Sequence, residues 1–121
     1  MGVLPSQSIS KLILKKIICA DSKIETSQIQ PASLDLRLGN VAWRIRASFL
    51  TGKDKSVSDL LDEFKMHQID MMEGAVLEKG CVYLIPIEEN LNLPANLSAI
   101  ANAKSSTGRL DLLTRIITDK G

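Results

Sequence analysis

Cysteine and histidine are scarce in this chain, and neither sign of charge prevails. Cys19 and Cys81 are the only two cysteines in 121 residues. They are too few and too far apart for a disulfide framework, so two free thiols in a reducing cytosol is the simpler account. His67 is the only histidine, which excludes a histidine-rich metal site. Fifteen basic and fourteen acidic side chains leave a formal charge of +1. Such a balance offers no global attraction to nucleic acid or to a membrane surface, so any anion site must be local. Long apolar runs are also missing. Leu12–Leu14 is cut by Lys15 and Lys16, so neither a signal peptide nor a spanning helix is expected, and a cytoplasmic location is.

What is present fits one compact domain with a modest core: 45% of the residues are hydrophobic and 24% charged. Ser8 followed by Ile9, Leu12, Ile13 and Ile17 has helical spacing. It predicts an amphipathic helix over residues 8–18 with Ser8 as its N-cap and Lys11 and Lys15 turned outward. Leu34, Leu36 and Leu38 alternate with Ser33, Asp35 and Arg37, which predicts a half-buried strand stopped by the turn pair Gly39-Asn40. Val41, Trp43 and Ile45 alternate with Ala42, Arg44 and Arg46 and predict a second strand with a solvated or salt-bridged arginine face. After the polar insertion Thr51–Lys55, Ser56 or Ser58 opens a helical pattern with Leu60, Leu61 and Phe64. Its acids near the start suit the helix macrodipole.

From Val76 the texture is β. Residues 81–87 are apolar on both faces, which predicts a strand between two layers with Cys81 in the core. Residues 97–103 and 110–118 read as further strands, and the set of short strands and turns suggests a sandwich or barrel. Too few strands are present to cover both faces of such a sheet.

One segment differs in kind. Lys104-Ser105-Ser106-Thr107-Gly108-Arg109 places two cations around hydroxyls and a glycine. Hydroxyls and backbone N–H groups bond phosphate oxygens, Gly108 permits a close approach, and Arg109 can fork to two oxygens. The Gly-x-x-x-x-Gly-Lys spacing of a Walker loop is absent. By composition alone, a phosphate-gripping loop and a polar hairpin turn are equally good readings. Zinc deaminase chemistry needs His-x-Glu and Pro-Cys-x-x-Cys, and neither occurs.

Ala32-Ser33-Leu34-Asp35-Leu36-Arg37-Leu38-Gly39, Leu93-Pro94-Ala95-Asn96-Leu97 and Lys104–Leu110 follow one another in this order. Together they resemble the dCTP deaminase branch of the trimeric dUTPase-like nucleotidohydrolases. The resemblance implies a mainly β, distorted jelly-roll-like (β-clip) subunit with an N-terminal helix, one inserted helix and C-terminal strands lying past Gly121. On this reading residues 1–121 are a single, incomplete domain. A homotrimer with sites at subunit contacts is implied, as is conversion of dCTP to dUTP and ammonia. That reaction runs without zinc, with Mg²⁺ carried by the triphosphate. Lys104, Ser105, Ser106, Thr107, Gly108 and Arg109 would bind the phosphates. Ser105 and Arg109 would also lie near the catalytic water, while Asp35 and Arg37 would pair rather than touch substrate.

Departures from the family pattern accompany the match. Lys104 stands where many members have arginine, which gives up a bidentate fork. Arg115 and Lys120 replace a histidine and an arginine, a pattern compatible with a longer two-domain branch. The family's catalytic glutamate falls beyond Gly121, so these residues alone are expected to be inactive. A dUTPase or bifunctional deaminase–diphosphatase and a non-catalytic nucleotide-binding remnant are the alternatives.

Overall fold

The computed structural model describes residues 2–119. In chain order the elements are α1 (Ser6–Leu14), β1 (Ile18–Cys19), a 3-10 turn (Thr26–Gln28), β2 (Val41–Ile45), α2 (Val57–Phe64), β3 (Lys65–Asp70), β4 (Val82–Leu84), β5 (Asn90–Leu91) and α3 (Ser105–Arg109). They fall into two compact units. The first is Met1–Ala42 with Asp70–Ala75 and Ile85–Leu97; the second is Trp43–Ile69 with Val76–Leu84 and Ser98–Gly121.

In the first unit α1 begins earlier than its periodicity predicts. Pro5, which has no N–H to leave unsatisfied, stands at the N-cap, and the Ser6 N–H donates to Pro31 O at 2.9 Å. Ile9 is buried and Leu12, Ile13 and Ile17 are half-buried, while Leu14, off the apolar stripe, is exposed. The helix also stops early, in a closure set by the backbone. The Lys16 N–H donates to Ile13 O and the Ile17 N–H to Leu12 O, both at 3.0 Å, with Lys16 left-handed at φ 56°. This is the Schellman arrangement, and it puts lysine where glycine is the favoured residue. The chain then enters β1, which pairs antiparallel with β5, Ile18 opposite Leu91 and Cys19 opposite Asn90.

The strand expected at 33–38 does not form a ladder. Only single antiparallel bridges occur, Ile29 with Leu34 and Leu38 with Ile87. Leu38 is exposed, while Asp35 and Arg37 are half-buried, contrary to the alternation. Side-chain bonding, described below, overrides the leucine pattern here. Nor does Gly39 make a hairpin turn. Its N–H donates to Pro86 O at 2.7 Å, and a Cβ there would lie 3.2 Å from that oxygen, so the glycine serves a close backbone approach.

The second unit is built on a three-stranded sheet in the order β3-β2-β4. β2 and β4 are antiparallel, with Trp43 opposite Leu84 and Ile45 opposite Val82. Ile45, Phe49 and Leu60 are its buried centre, with Trp43, Val57, Leu61, Phe64, Leu84 and Ile117 packed around them. The rings of Phe49 and Phe64 stack with centroids 5.2 Å apart, a geometry that adds about 0.5–1.5 kcal/mol to their burial. α2 starts at the first of the two serines its sequence allows, with Ser56 as N-cap. Ser56 Oγ accepts from the Asp59 N–H at 3.1 Å, and Asp59 Oδ2 accepts from the Ser56 N–H at 3.0 Å, a reciprocal capping box.

β4 is shorter and more open than expected. Val82 is exposed, and Cys81 lies just before the strand, half-exposed, with its thiol 3.6 Å from Glu78 Oε2. Residues 97–103 and 110–118 form no strand. Ile100, Leu110 and Leu113 are exposed, because among the described residues no neighbouring strand pairs with these segments.

Two substitutions test the helix ends. Lys16→Gly is expected to stabilise the chain by about 0.5–1 kcal/mol by removing left-handed strain. Ser56→Ala is expected to cost about 1 kcal/mol by removing the cap acceptor. Urea denaturation of both variants beside the parent chain checks these signs.

Candidate functional site

The six residues singled out in the sequence form a short helix rather than a loop. The N–H groups of Thr107 and Gly108 both donate to Lys104 O, at 3.0 and 3.1 Å, and the turn so closed is α3. Its C-terminal end is a second Schellman arrangement. The Asp111 N–H donates to Gly108 O at 3.0 Å and the Leu112 N–H to Thr107 O at 3.3 Å, with Asp111 left-handed at φ 57°. Local backbone bonding therefore gives this segment a defined shape. Thr107 is half-buried, and Lys104, Ser105, Ser106, Gly108 and Arg109 are exposed. The segment presents two cations and two serine hydroxyls to solvent, a donor set suited to phosphate oxygens.

Gly108 plays a different part from the one expected. Its φ is not left-handed, and a Cβ built on it would have no heavy atom within 4 Å. The chain does not need glycine there to turn. What its missing side chain leaves is open surface beside the hydroxyls.

The other singled-out residues are engaged elsewhere. Arg44 pairs with Glu78 at 3.1 Å, and Arg46 donates to Glu63 O, as expected for a salt-bridged sheet face. His67 is exposed on β3. Arg115 donates to Ser48 Oγ. Lys120 and Gly121 lie outside the described residues.

In the first unit the most constrained polar group is one the sequence did not single out. The Glu89 side chain is fully removed from solvent. Its carboxylate accepts from Gln28 Nε2 at 2.8 Å, from the Arg37 backbone N–H at 2.9 Å and from Arg37 Nε at 2.8 Å. Gln28 is equally well used. Its Oε1 accepts from the Glu25 N–H at 2.9 Å, and its Nε2 also donates to Asp35 O at 2.9 Å. Arg37 further reaches Glu88 at 3.3 Å and donates to Lys23 O at 3.1 Å. Arg37 thus pairs with Glu88 and Glu89, and the Asp35 carboxylate accepts from Gln30 at 3.2 Å. No local signal pointed to Glu89, since its partners are distant in sequence.

Burial pushes the Glu89 carboxyl up, but the Arg37 backbone N–H, the guanidinium and the Gln28 amide outweigh it and hold the group below its ordinary value. A depressed folded pKa stabilises the fold above the unfolded value of 4.5, and that stabilisation is lost as pH falls through the folded pKa. This is the reverse of what a general base near neutrality requires.

Two open concavities occur in the first unit. One of about 410 Å³ is lined by residues of 13–24, among them Lys16, Cys19 and Lys23. The other, of about 270 Å³, is lined by Asp21, Ser22, Gly39, Asn40 and Glu88. Neither is lined by any of residues 104–109.

Comparison with known proteins agrees with the motif reading. The sequence model of the family described as the 2'-deoxycytidine 5'-triphosphate deaminase N-terminal domain matches residues 1–121. A dCTP deaminase, dUMP-forming, from Persephonella marina is 34% identical over 110 residues, covering 91% of this chain and 59% of that protein. The one from Nanoarchaeum equitans is 33% identical over 130 residues, covering 92% and 62%. The crystal structure of a 2'-deoxycytidine 5'-triphosphate deaminase from Agrobacterium tumefaciens superposes with a TM-score of 0.95 at 49% identity, over 99% of this chain and 36% of that one. The chain spans about 60% of the length of these curated relatives.

Glu89→Gln is expected to cost about 2 kcal/mol at pH 7, because the Arg37 donors lose a charged acceptor in a site water does not reach. The gap between variant and parent should narrow as pH falls below 4.5. Denaturation midpoints measured from pH 7 to pH 3 follow both effects.

Proposed function

The chain belongs to the dCTP deaminase N-terminal-domain family, and from that premise we propose that Lys104–Arg109 binds the triphosphate of a pyrimidine deoxynucleotide in an enzyme that deaminates dCTP. The observation that carries the reading is the preformed turn of α3, which holds Lys104, Ser105, Ser106 and Arg109 exposed around an unobstructed Gly108. Charge-assisted bonds to phosphate oxygens are the strongest contacts such a surface can make. Mg²⁺ would arrive on the nucleotide, since the segment carries cations and hydroxyls and no carboxylate.

Deamination joins water to C4 of cytosine and releases ammonia, and the attacking water must give a proton to a base. Glu89 is unsuited to this, with its carboxylate filled by three N–H donors. Glu78 is engaged by Arg44 and Glu88 by Arg37. Ser105 and Arg109 would steady the phosphates and the water, with the base supplied from outside these residues. We therefore expect the 121-residue chain to bind dCTP without releasing ammonia.

The relatives' dUMP-forming reaction favours a bifunctional member over a deaminase that stops at dUTP. Coverage of only 36% of the Agrobacterium tumefaciens chain supports the longer branch of the family. Assembly as a homotrimer in the cytoplasm belongs to the same proposal, and the exposed Ile100, Leu110 and Leu113 of the second unit supply apolar surface for association.

Calorimetric titration with dCTP tests the site. Lys104→Ala and Arg109→Ala are each expected to weaken binding roughly ten- to hundredfold, as a lost charged hydrogen bond of about 1.5–3 kcal/mol implies. Gly108→Ala should leave folding intact or improve it by about 0.5–1 kcal/mol while weakening dCTP roughly tenfold. Unchanged affinity in all three variants would remove the phosphates from this segment, and ammonia release by the parent chain would place the base within it.

A further inference from the structure

The stretch that follows α3 rejoins the second unit over five residues. Arg115 donates to Ser48 Oγ, and Ile117 packs on the core of Ile45, Phe49 and Leu60. Thr51 Oγ1 donates to Thr118 O at 2.7 Å, and Asp119 Oδ1 accepts from the Val57 N–H at 2.7 Å. The groups that hold it belong to the polar insertion and its flanks, residues 48–57. Thr51 is buried, so the hydroxyl it spends on the Thr118 carbonyl is shielded from competing water.

Between Leu112, the last residue of the closure of α3, and Arg115 only Leu113 and Thr114 intervene. Residues 98–114 are exposed apart from Thr107, and α3 is shaped by its own backbone bonds rather than by the core. Three residues of extended chain reach roughly 10 Å. The point at which residues 115–119 are gripped therefore limits where Arg109 and the serines can stand.

We propose that Thr51, with Ser48 beside it, is a positioning residue for the ligand-bearing turn, holding it through residues 115–119. This rests on the assignment of phosphates to Lys104–Arg109. The insertion is then a built part of the nucleotide site through the turn it positions.

The test compares dCTP affinity and melting temperature in the full chain and in Thr51→Val, Thr51→Ser, Asp119→Ala and Asp119→Asn, with titrations run well below every melting transition. Thr51→Val keeps the branched shape and loses the hydroxyl, whereas Thr51→Ser keeps the hydroxyl and loses a methyl group. Both should melt earlier than the parent, but only Thr51→Val should lose affinity, by fivefold or more. Asp119→Ala should behave like Thr51→Val, and Asp119→Asn, which retains an acceptor for the Val57 N–H, should bind nearly as the parent does. If affinity instead follows melting temperature across the set, or Thr51→Val and Asp119→Ala both bind as the parent does, the positioning role is overturned and the phosphate assignment stands. If the parent binds no dCTP, the phosphate assignment falls and the positioning role falls with it. Should Thr51→Val fail to fold, the Asp119 pair separates the same two outcomes.

Discussion

A carboxylate taken out of water must be surrounded by donors or it will not stay charged, and Glu89 meets that demand in the first unit. Three N–H groups converge on it, and each belongs to a residue with a second structural task. Gln28 also anchors the 3-10 turn to the Asp35 carbonyl. Arg37 also holds the Lys23 carbonyl. One charge thereby ties together three stretches that share no long hydrogen-bonded ladder. Burial raises the cost of losing any single member, since an unpaired charge in such a place costs several kcal/mol.

The second unit solves the same problem with apolar packing. Trp43, Phe49 and Phe64 are three of the four aromatic side chains in the sequence, and all three lie in its one hydrophobic cluster. Polar bonds there are directional. The capping box of α2, the Thr51–Thr118 bond and the Asp119–Val57 bond each fix where a segment ends or docks. The result is a small core with a long exposed stretch leading from it, and the candidate phosphate-binding turn sits on that stretch.

The proposed phosphate site depends on this contrast. A phosphate site must keep its cations solvated until the ligand arrives, so it cannot be packed into a core. It must also hold a shape, because disordered side chains forfeit affinity to ordering entropy. α3 meets both conditions through two backbone bonds to Lys104 and a Schellman closure. The segments on either side of it carry apolar side chains outward.

Features governed by residues a few positions apart were legible in the sequence. Helical spacing placed α2 with its start at Ser56 or Ser58, alternation placed β2, and the ordered motifs led to the family. The segment 104–109 was expected as a loop or hairpin turn and forms a short helix instead, because its composition suits a turn and a short helix alike. The leucine alternation at 33–38 misled for a different reason. Period-two spacing predicts a strand only if a partner strand is available, and here the deciding bonds join Arg37 to a glutamate 52 residues away. The docking of residues 115–119 likewise rests on a hydroxyl 67 residues distant. Sequence alone determined the β2 pattern and, through its ordered motifs, the family, since each is written in short runs of neighbouring residues. Tertiary structure alone decided which carboxylate is buried and where residues 115–119 dock, since those depend on which distant groups the folded chain brings within hydrogen-bond reach.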